Sequence, residues 1–435
     1  MKNKLNGQSV KNLIIRNAHI VDPANKIDEV MDLHVKSHRI VKWGKDLAAE
    51  DAEILDAKKL HLLPGLVDLH THLPQYGSVA LDGLELLPWL EAHIYPAEAR
   101  FADAHLAART SHRFFQDLMA WGTSTAVVYS SIHAHATDMA FAQAERAGLR
   151  VVLGKVMMDR QAPSALLEAT ETSLEESEAL CERWHGRDHG RIQYAFSPRF
   201  APACSPELMR KTGALAKKHG AFIQTHVAES LGELAWVREL FPAAENATEV
   251  YQHAGLLGPR TLLGHGIYLD ARERTEIRES GAALVHCPRA NAFLRSGMMP
   301  LRKWLDEGLR VGLGTDVGAG PSLSLWAEMA FACQTSKLRS AALEAGSEHP
   351  LDPVEAFHLA TLGGAEILGL GASIGSLEVG KDADFLIVDP RFSCPFQEPQ
   401  EEPPLHVLSR LMYREDPRMV RALHVRGKAC FTRED

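Results

Sequence analysis

Residues 64–72 read PGLVDLHTH, an apolar run that ends on two histidines separated by one threonine. Three later runs have the same form: AFIQTHVAE carries His226, TLLGHG carries His265, and VGLGTD ends on Asp316. Each run has the length of one buried β-strand and places a metal-binding or proton-transferring side chain at its end. In an α/β barrel the carboxyl ends of the strands meet at one rim, so the four runs predict a single site assembled there.

The middle of the chain alternates strand-like and helix-like segments. The strand-like runs end near eight positions: 68–70, 127–129, 155–157, Phe196, His226, His265, His286 and Asp316. Amphipathic segments rich in Ala, Leu and Glu lie between them, which predicts an α/β fold with a (β/α)8 TIM barrel over residues 65–375. A doubly wound open sheet is the alternative, but none of the glycine-rich pieces has the spacing of a phosphate-binding loop.

The two ends of the chain have a different texture. Residues 12–63 and the C-terminal runs IGSLEVGKDADFLIVD and MVRALHVRGKACF alternate apolar and polar positions, which is typical of half-buried antiparallel strands. A Pro-rich loop, CPFQEPQEEPP, separates the two C-terminal runs. We therefore expect residues 1–64 and 376–435 to form one small β-sandwich domain, with the barrel inserted between its halves.

The composition excludes several classes of partner. The 435 residues carry a net charge of -9 and no basic run, which argues against binding of nucleic acid. The six cysteines are scattered without C-x-x-C spacing, which indicates reduced thiols and a cytoplasmic protein. The N-terminus lacks the apolar core of a secretory signal, and no apolar stretch reaches the roughly 20 residues that span a bilayer, so we expect no membrane partner.

The histidine pattern at the strand ends predicts a metal site. His70 and His72 lie two residues apart in an extended strand, so both side chains point to one side and reach one ion. His226 supplies a third nitrogen and Asp316 a carboxylate oxygen. A lone buried histidine is more often a core residue than a ligand, but His-x-His followed by donors at later strand ends favours a metal. Such a set leaves a position for water, which predicts hydrolysis by a metal-activated water.

Glu229 is the predicted general acid/base, because it lies three residues after His226. If the chain turns helical there, the two side chains share a face. A carboxylate beside the metal takes a proton from the attacking water and hands it to the substrate. The alternative is a first-turn glutamate that the helix dipole stabilises. His265 and Asp316 complete the predicted catalytic set, since both can hydrogen-bond the attacking hydroxide and Asp316 can also accept its proton.

These motifs together resemble the amidohydrolase superfamily. A finer resemblance is to its guanine deaminases, carried in order by PGLVDLHTHLPQYG, LLPWLEAHIYPAEARF, SPRFAPACS, QTHVAES, LGHGIYL and GLGTDVGAG. The similarity extends from about residue 12 to residue 432. It implies a homodimeric enzyme that converts guanine to xanthine and ammonia through attack of a zinc-activated hydroxide on C2.

The resemblance also implies roles for individual residues. The implied zinc ligands are His70, His72, His226 and Asp316. The implied substrate contacts are Gln75, Arg199, Phe200, His72, His226, Glu229 and Asp316. In this scheme Arg199 contacts the carbonyl O6 of guanine, Phe200 contacts the ring, and Gln75 hydrogen-bonds the purine. Glu229 protonates N3, and His265 orients the hydroxide and stabilises the tetrahedral intermediate.

One metal per chain is expected. Binuclear barrels of this type use a carboxylated lysine at the end of the fourth strand, but here that strand ends Phe-Ser-Pro-Arg at residues 196–199. Lys155 lies inside the third strand, and we expect it to be structural or to support the site from behind. Zinc suits the donor set, and Fe²⁺ is an alternative because His/Asp sites accept other divalent ions.

Two loops at the predicted pocket mouth depart from the family pattern, residues 77–83 and 289–296. Because these loops line the mouth of the pocket, the sequence leaves open which base is the substrate. 8-Oxoguanine or a pterin shares the amino-pyrimidinone edge of guanine and is the alternative substrate. A ring-opening amide hydrolase is disfavoured by the missing lysine. A non-catalytic scaffold on the same fold is disfavoured because every predicted ligand and Glu229 are present.

Overall fold

A computed structural model describes residues 12–344, 346–394 and 403–433. The strands are β1 Asn12–Asp22, β2 Ile27–Lys36, β3 Arg39–Gly44, β4 Glu53–Asp56, β5 His61–Pro64, β6 Leu66–His72, β7 Thr123–Tyr129, β8 Arg150–Gly154, β9 Val156–Met157, β10 Ile192–Pro198, β11 Phe222–Val227, β12 Thr261–His265, β13 Ala283–His286, β14 Arg310–Leu313, β15 Phe385–Val388, β16 Val420–Val425 and β17 Lys428–Thr432.

The helices are α1 Leu86–Trp89, α2 Tyr95–Ala99, α3 Ala104–Ala120, α4 Ala134–Ala147, α5 Thr170–Trp184, α6 Arg187–Gly190, α7 Pro206–His219, α8 Leu231–Leu240, α9 Ala247–His253, α10 Ala271–Ser280, α11 Pro288–Phe293, α12 Leu301–Asp306, α13 Leu325–Ala342, α14 Pro353–Leu359, α15 Leu362–Ile367 and α16 Pro404–Tyr413. A π-helical turn, Leu90–Ile94, joins α1 to α2. Within the described ranges, none of these helices combines the length and the apolar composition that a bilayer crossing requires.

The predicted (β/α)8 barrel is confirmed. Its parallel strands follow the order β14-β13-β12-β11-β10-β8-β7-β6, and the two-residue β9 extends the same layer beside β10. Beyond β14 the chain bonds back to the first barrel strand: the amide of Asp316 donates to the carbonyl of His70, and the amide of His72 donates to the carbonyl of Val317, both at 2.8 Å. The barrel is therefore closed at the rim where the predicted site residues lie.

The second sheet joins the two ends of the chain, as expected. Its strand order is β17-β16-β15-β5-β1-β2-β3, and β5 pairs antiparallel with β15 through partners such as Leu62 and Ile387. The expectation of antiparallel strands throughout is wrong at β1, which pairs parallel with β4 and β5. A register shift between Ile15 and Ala18 bends β1, so its two halves take different partners.

Helix α16 is an element that the sequence analysis did not predict. Its buried residues Val407, Leu408, Leu411 and Met412 belong to the core around the barrel, and it packs against α13 and α14. The division into residues 1–64 plus 376–435 and residues 65–375 stays a prediction. Of that division, residues 1–11 and 434–435, and residues 395–402 of the Pro-rich loop, lie outside the described residues.

A buried ion-pair cluster fastens the small sheet to the barrel. Arg150, at the start of β8, lies with its Nη2 3.0 Å from Asp382 Oδ2 and 3.2 Å from Asp384 Oδ2. All three side chains are buried. Removal of one member of a buried pair leaves its partner desolvated and uncompensated, which destabilises a protein strongly.

Arg150→Ala is expected to lower the free energy of unfolding by about 3 kcal/mol, because two carboxylates lose their buried partner. Urea denaturation followed by circular dichroism measures the effect. Lys218→Ala is the matched control, since Lys218 pairs with Glu178 at the surface, and solvent screens such a pair. Equal midpoints for the two variants would contradict the structural role of the cluster.

Candidate active site

Five of the predicted side chains meet at the closed rim of the barrel. His72 Nε2 lies 3.1 Å from His70 Nε2 and 3.2 Å from His226 Nε2. Asp316 Oδ1 lies 3.3 Å from His70 Nε2 and 3.2 Å from His72 Nε2. His265 joins the group, because one atom each of His70, His226, His265 and Asp316 lie within 4.8 Å of one another.

These separations fit a shared cation. Two donor atoms that bind zinc at about 2.1 Å and at tetrahedral angles lie about 3.4 Å apart, which is close to the spacing seen here. A second observation concerns the tautomer of His226. Its Nδ1 donates to the carbonyl oxygen of Arg199 at 2.6 Å, so Nε2 presents a lone pair to the centre. The donor set of imidazole nitrogens and one carboxylate therefore suits a divalent metal ion.

Burial sets the charges of these groups before any ion binds. It lowers the pKa of the His70 imidazole, lowers that of His72 to about 4, and places that of His226 well below its usual value. Burial alone would raise the pKa of Asp316, but the imidazoles of His70 and His72 beside its carboxylate hold that pKa well below the usual range. The site thus offers neutral imidazoles and an ionised carboxylate, the protonation states that metal binding requires.

Glu229 reaches the site from a turn rather than from a helix. Ala228 has a φ of 49°, and α8 begins only at Leu231, so the conditional expectation of a helical turn after His226 is wrong. The left-handed residue turns the chain, and the backbone amide of Glu229 donates to Glu233 Oε2 at 2.6 Å. The carboxylate of Glu229 lies 3.4 Å from His265 Nε2.

The surroundings of Glu229 favour the protonated form of its carboxyl. Burial raises the pKa of Glu229 well above its usual value, and the negative charge of Asp316 adds to that effect. Ser296 Oγ donates to Glu229 Oε1 at 3.2 Å and fixes the orientation of the group. A protonated carboxyl beside a metal site can deliver its proton to a substrate.

The predicted substrate-contact residues Gln75, Arg199 and Phe200 line one pocket with His72, His226, Glu229, His265 and Asp316. Leu86, Trp89 and Leu90, from α1 and the π-helical turn, form an apolar wall of the same pocket. Phe200 packs edge-on against Trp236, with ring centroids 5.9 Å apart. The lining of the pocket therefore combines an apolar wall with the polar groups of the rim.

Sequence reasoning missed several residues that hold this site. Asn291 Oδ1 accepts from His265 Nδ1 at 2.9 Å, and Ser296 binds Glu229 as described above. Both belong to the loop 289–296 that departs from the family pattern. Glu98 contacts Gln75 and Arg199 from behind the pocket. No spacing in the sequence predicts these contacts. Glu98 does lie within LLPWLEAHIYPAEARF, one of the segments that carry the family resemblance.

Lys155 lies apart from the metal group. Its Nζ donates to both carboxylate oxygens of Glu168, at 2.5 and 2.7 Å, and the side chain is fully buried. Burial lowers the pKa of Lys155, and the charge of Glu168 opposes that effect. This ion pair is consistent with the structural role expected for the residue.

Comparisons with known proteins show the family to which the chain belongs. It belongs to the amidohydrolase family, whose profile matches residues 61–430. Within that family it groups with the guanine deaminases: it is 35% identical over 394 residues to guanine deaminase of Escherichia coli (strain K12), covering 90% of this chain and 87% of the relative.

Solved structures agree with the family assignment, and one of them is a guanine deaminase. Guanine deaminase from C. acetobutylicum, with guanine bound in its active site, superimposes with a TM-score of 0.91 at 31% identity and covers 97% of this chain and all of that one. An adenosine deaminase from Xanthomonas campestris with bound Zn superimposes with a TM-score of 0.84 at 26% identity, covering 96% and 92% of the two chains.

Gly264→Ala is expected to weaken metal binding by about 10-fold or more, since altered ligand support has effects of that size. A Cβ atom at this position would lie 2.7 Å from His70 Cε1, and the buried ring has no open space to move into. Elemental analysis of the purified variant, after dialysis against a weak chelator, measures the loss.

Gly258→Ala is the matched control, because a Cβ atom there meets nothing within 4 Å. It should retain the metal content of the unmodified protein. Full occupancy in Gly264→Ala, with normal folding by circular dichroism, would show that the position of His70 does not control binding of the ion.

Proposed function

We propose that this protein hydrolyses guanine to xanthine and ammonia. The observation that carries the proposal is the shared pocket: a His/Asp cation site, the buried carboxyl of Glu229 and the hydrogen-bonding groups of Gln75 and Arg199 all open on it. The guanine deaminases that this chain resembles, one with guanine in its active site, support the same reaction.

We further propose one zinc ion per chain, held by His70, His72, His226 and Asp316, with Fe²⁺ as the alternative. His265 lies on the substrate side of that group, since its Nε2 is 3.4 Å from Glu229 Oε2 and 3.8 Å from Asp316 Oδ2. A divalent ion in such a site would supply an acidified water, whose pKa falls far below that of free water, to about 7. The adenosine deaminase with bound Zn supports the choice of metal.

The reaction adds water across the bond between C2 and N3 and then expels the amine. Glu229 donates its proton to N3 as the oxygen attacks C2, which keeps negative charge off the ring. It then takes a proton from the added water and passes it to the amino group, which leaves as ammonia. His265 and Asp316 hold the attacking oxygen by hydrogen bonds, and the C2 carbonyl of xanthine remains.

Arg199 and Gln75 select the base. The guanidinium of Arg199 presents donors that suit the acceptor O6 of guanine, whereas adenine presents an amine at that position. A site built to pair with a polar substrate atom rejects an analogue that leaves it unpaired by about 10⁴ in kcat/KM. Phe200 contacts the face of the ring.

We also propose that the protein is a homodimer, that it is cytoplasmic and that it acts in purine catabolism. The six cysteines are free thiols, four of them buried, which supports a reducing compartment. Sedimentation equilibrium of the purified chain tests the dimer, and a single species of monomer mass would contradict it.

Ammonia release across a panel of bases tests the proposed function. Guanine should have the highest kcat/KM, ahead of 8-oxoguanine and isoxanthopterin, and adenine should release no ammonia by this reaction because it has no amino group at C2. Metal content is measured on the same preparation. A higher kcat/KM for 8-oxoguanine or isoxanthopterin would assign the alternative substrate, and a metal-free, inactive chain would favour the non-catalytic scaffold.

Glu229→Gln should lower kcat by about 10² or more, because an amide cannot transfer the proton. The metal content should stay unchanged, since the residue is outside the proposed ligand set. Glu239→Gln is the control and should have normal activity, because Glu239 is an exposed residue of α8, the helix that follows Glu229. Near-normal turnover by Glu229→Gln would remove this residue from the mechanism.

A further inference from the structure

We infer that Glu98 is a positioning residue that determines specificity by fixing the two side chains that read the base, Gln75 and Arg199. The inference rests on the proposed function, since it concerns how that pocket distinguishes guanine from bases without O6. Glu98 lies in α2 and is 1% exposed. It does not line the pocket itself, so it acts through its partners.

The two carboxylate oxygens of Glu98 have one partner each. Oε1 accepts from Gln75 Nε2 at 2.9 Å, and Oε2 accepts from Arg199 Nη1 at 2.5 Å. These partners come from distant parts of the chain, the turn after β6 and the segment after β10. One buried carboxylate therefore sets the spacing between the two groups that contact the substrate.

Glu98 also fixes the polarity of the Gln75 amide. An ionised carboxylate only accepts hydrogen bonds, so it selects the NH₂ group of Gln75. On the other side the amide of Gly318 only donates, and it binds Gln75 Oε1 at 3.2 Å. Because both ends of the amide are held, it cannot turn over and exchange the positions of its NH₂ group and its oxygen. The pocket therefore receives one N–H and one lone pair in a fixed order, which matches a single arrangement on the edge of a base.

The same carboxylate orients the charge of Arg199. The guanidinium is buried, and a buried cation requires a partner. Glu98 supplies that partner at one nitrogen, while the ring of Tyr95 lies 5.4 Å from the guanidinium carbon. The remaining donors of the planar fork are left for the pocket, where an acceptor such as O6 can bind. Loss of Glu98 leaves Arg199 free to tilt and leaves the amide of Gln75 held only at its oxygen, by Gly318.

The test compares guanine with 2,6-diaminopurine, which has the same amine at C2 but an amine in place of O6. In Glu98→Gln the new amide can accept from only one of the two partners. We expect KM for guanine to rise about 10- to 100-fold, the usual effect of losing a hydrogen bond to a charged group. The ratio of kcat/KM for guanine over 2,6-diaminopurine should fall by about 10-fold or more, while kcat for guanine and the metal content change little.

Two further variants separate positioning from general damage. Glu91→Gln removes an exposed acid from the neighbouring turn and should keep both KM and the substrate ratio. Glu98→Asp keeps the charge but shortens its reach, so it should recover part of the ratio lost in Glu98→Gln. If Glu98→Gln fails to fold, Glu98→Asp carries the test, and a wild-type ratio in that variant overturns the inference.

An unchanged ratio in a folded Glu98→Gln would also overturn it, as would equal losses on both bases accompanied by a lower unfolding midpoint. The proposed function fails by a different result: the unmodified protein would release no ammonia from guanine. Failure of the inference therefore appears in the Glu98 variants, whereas failure of the proposed function appears in the unmodified protein.

Discussion

The site depends on the closure of the barrel between its first strand and the chain that follows its last. Two backbone hydrogen bonds, from Asp316 to His70 and from His72 to Val317, join segments that are more than 240 residues apart in the sequence. They place the carboxylate of Asp316 within 3.3 Å of two imidazole nitrogens. Asp68 reinforces the closure from below, because its carboxylate accepts from the amide and the hydroxyl of Thr315. Without this closure, the donors at the two ends of the sheet would not share a centre.

Burial then shifts the pKa values of several groups in the pocket. It lowers those of His70, His72 and His226, because a charged imidazole is poorly solvated there, and it raises that of Glu229 for the same reason. The imidazoles of His70 and His72 beside Asp316 hold the pKa of its carboxyl well below the usual range. One dry environment therefore yields lone pairs for a cation, a negative ligand and an acid. These are the components that metal-assisted hydrolysis of an amino-pyrimidinone requires.

The side chains that we propose to recognise the base are held in place by residues that lie outside the pocket. The cover formed by Trp89 and Leu90 leads directly into α2, and α2 carries Glu98 to the rear of Gln75 and Arg199. The same short segment thus lines the pocket and holds the two side chains that we propose to contact the edge of the base. The divergent loop 289–296 has a comparable role on the catalytic side, since it supplies the partners of His265 and Glu229. Its departure from the family pattern is therefore compatible with a complete site.

By itself, the sequence determined the barrel, the joining of the two chain ends in one sheet, and the residues gathered at the rim. Those features follow from local rules: apolar runs of strand length repeat, and His70 and His72 share one side because side chains alternate along a strand. Only the tertiary structure decided the parallel partners of β1, the docking of α16, the turn that delivers Glu229, and the contacts of Glu98 and Asn291. Each of these depends on which segments meet in space, and contacts between residues such as Glu98 and Arg199, 101 positions apart, leave no periodic signal in the chain.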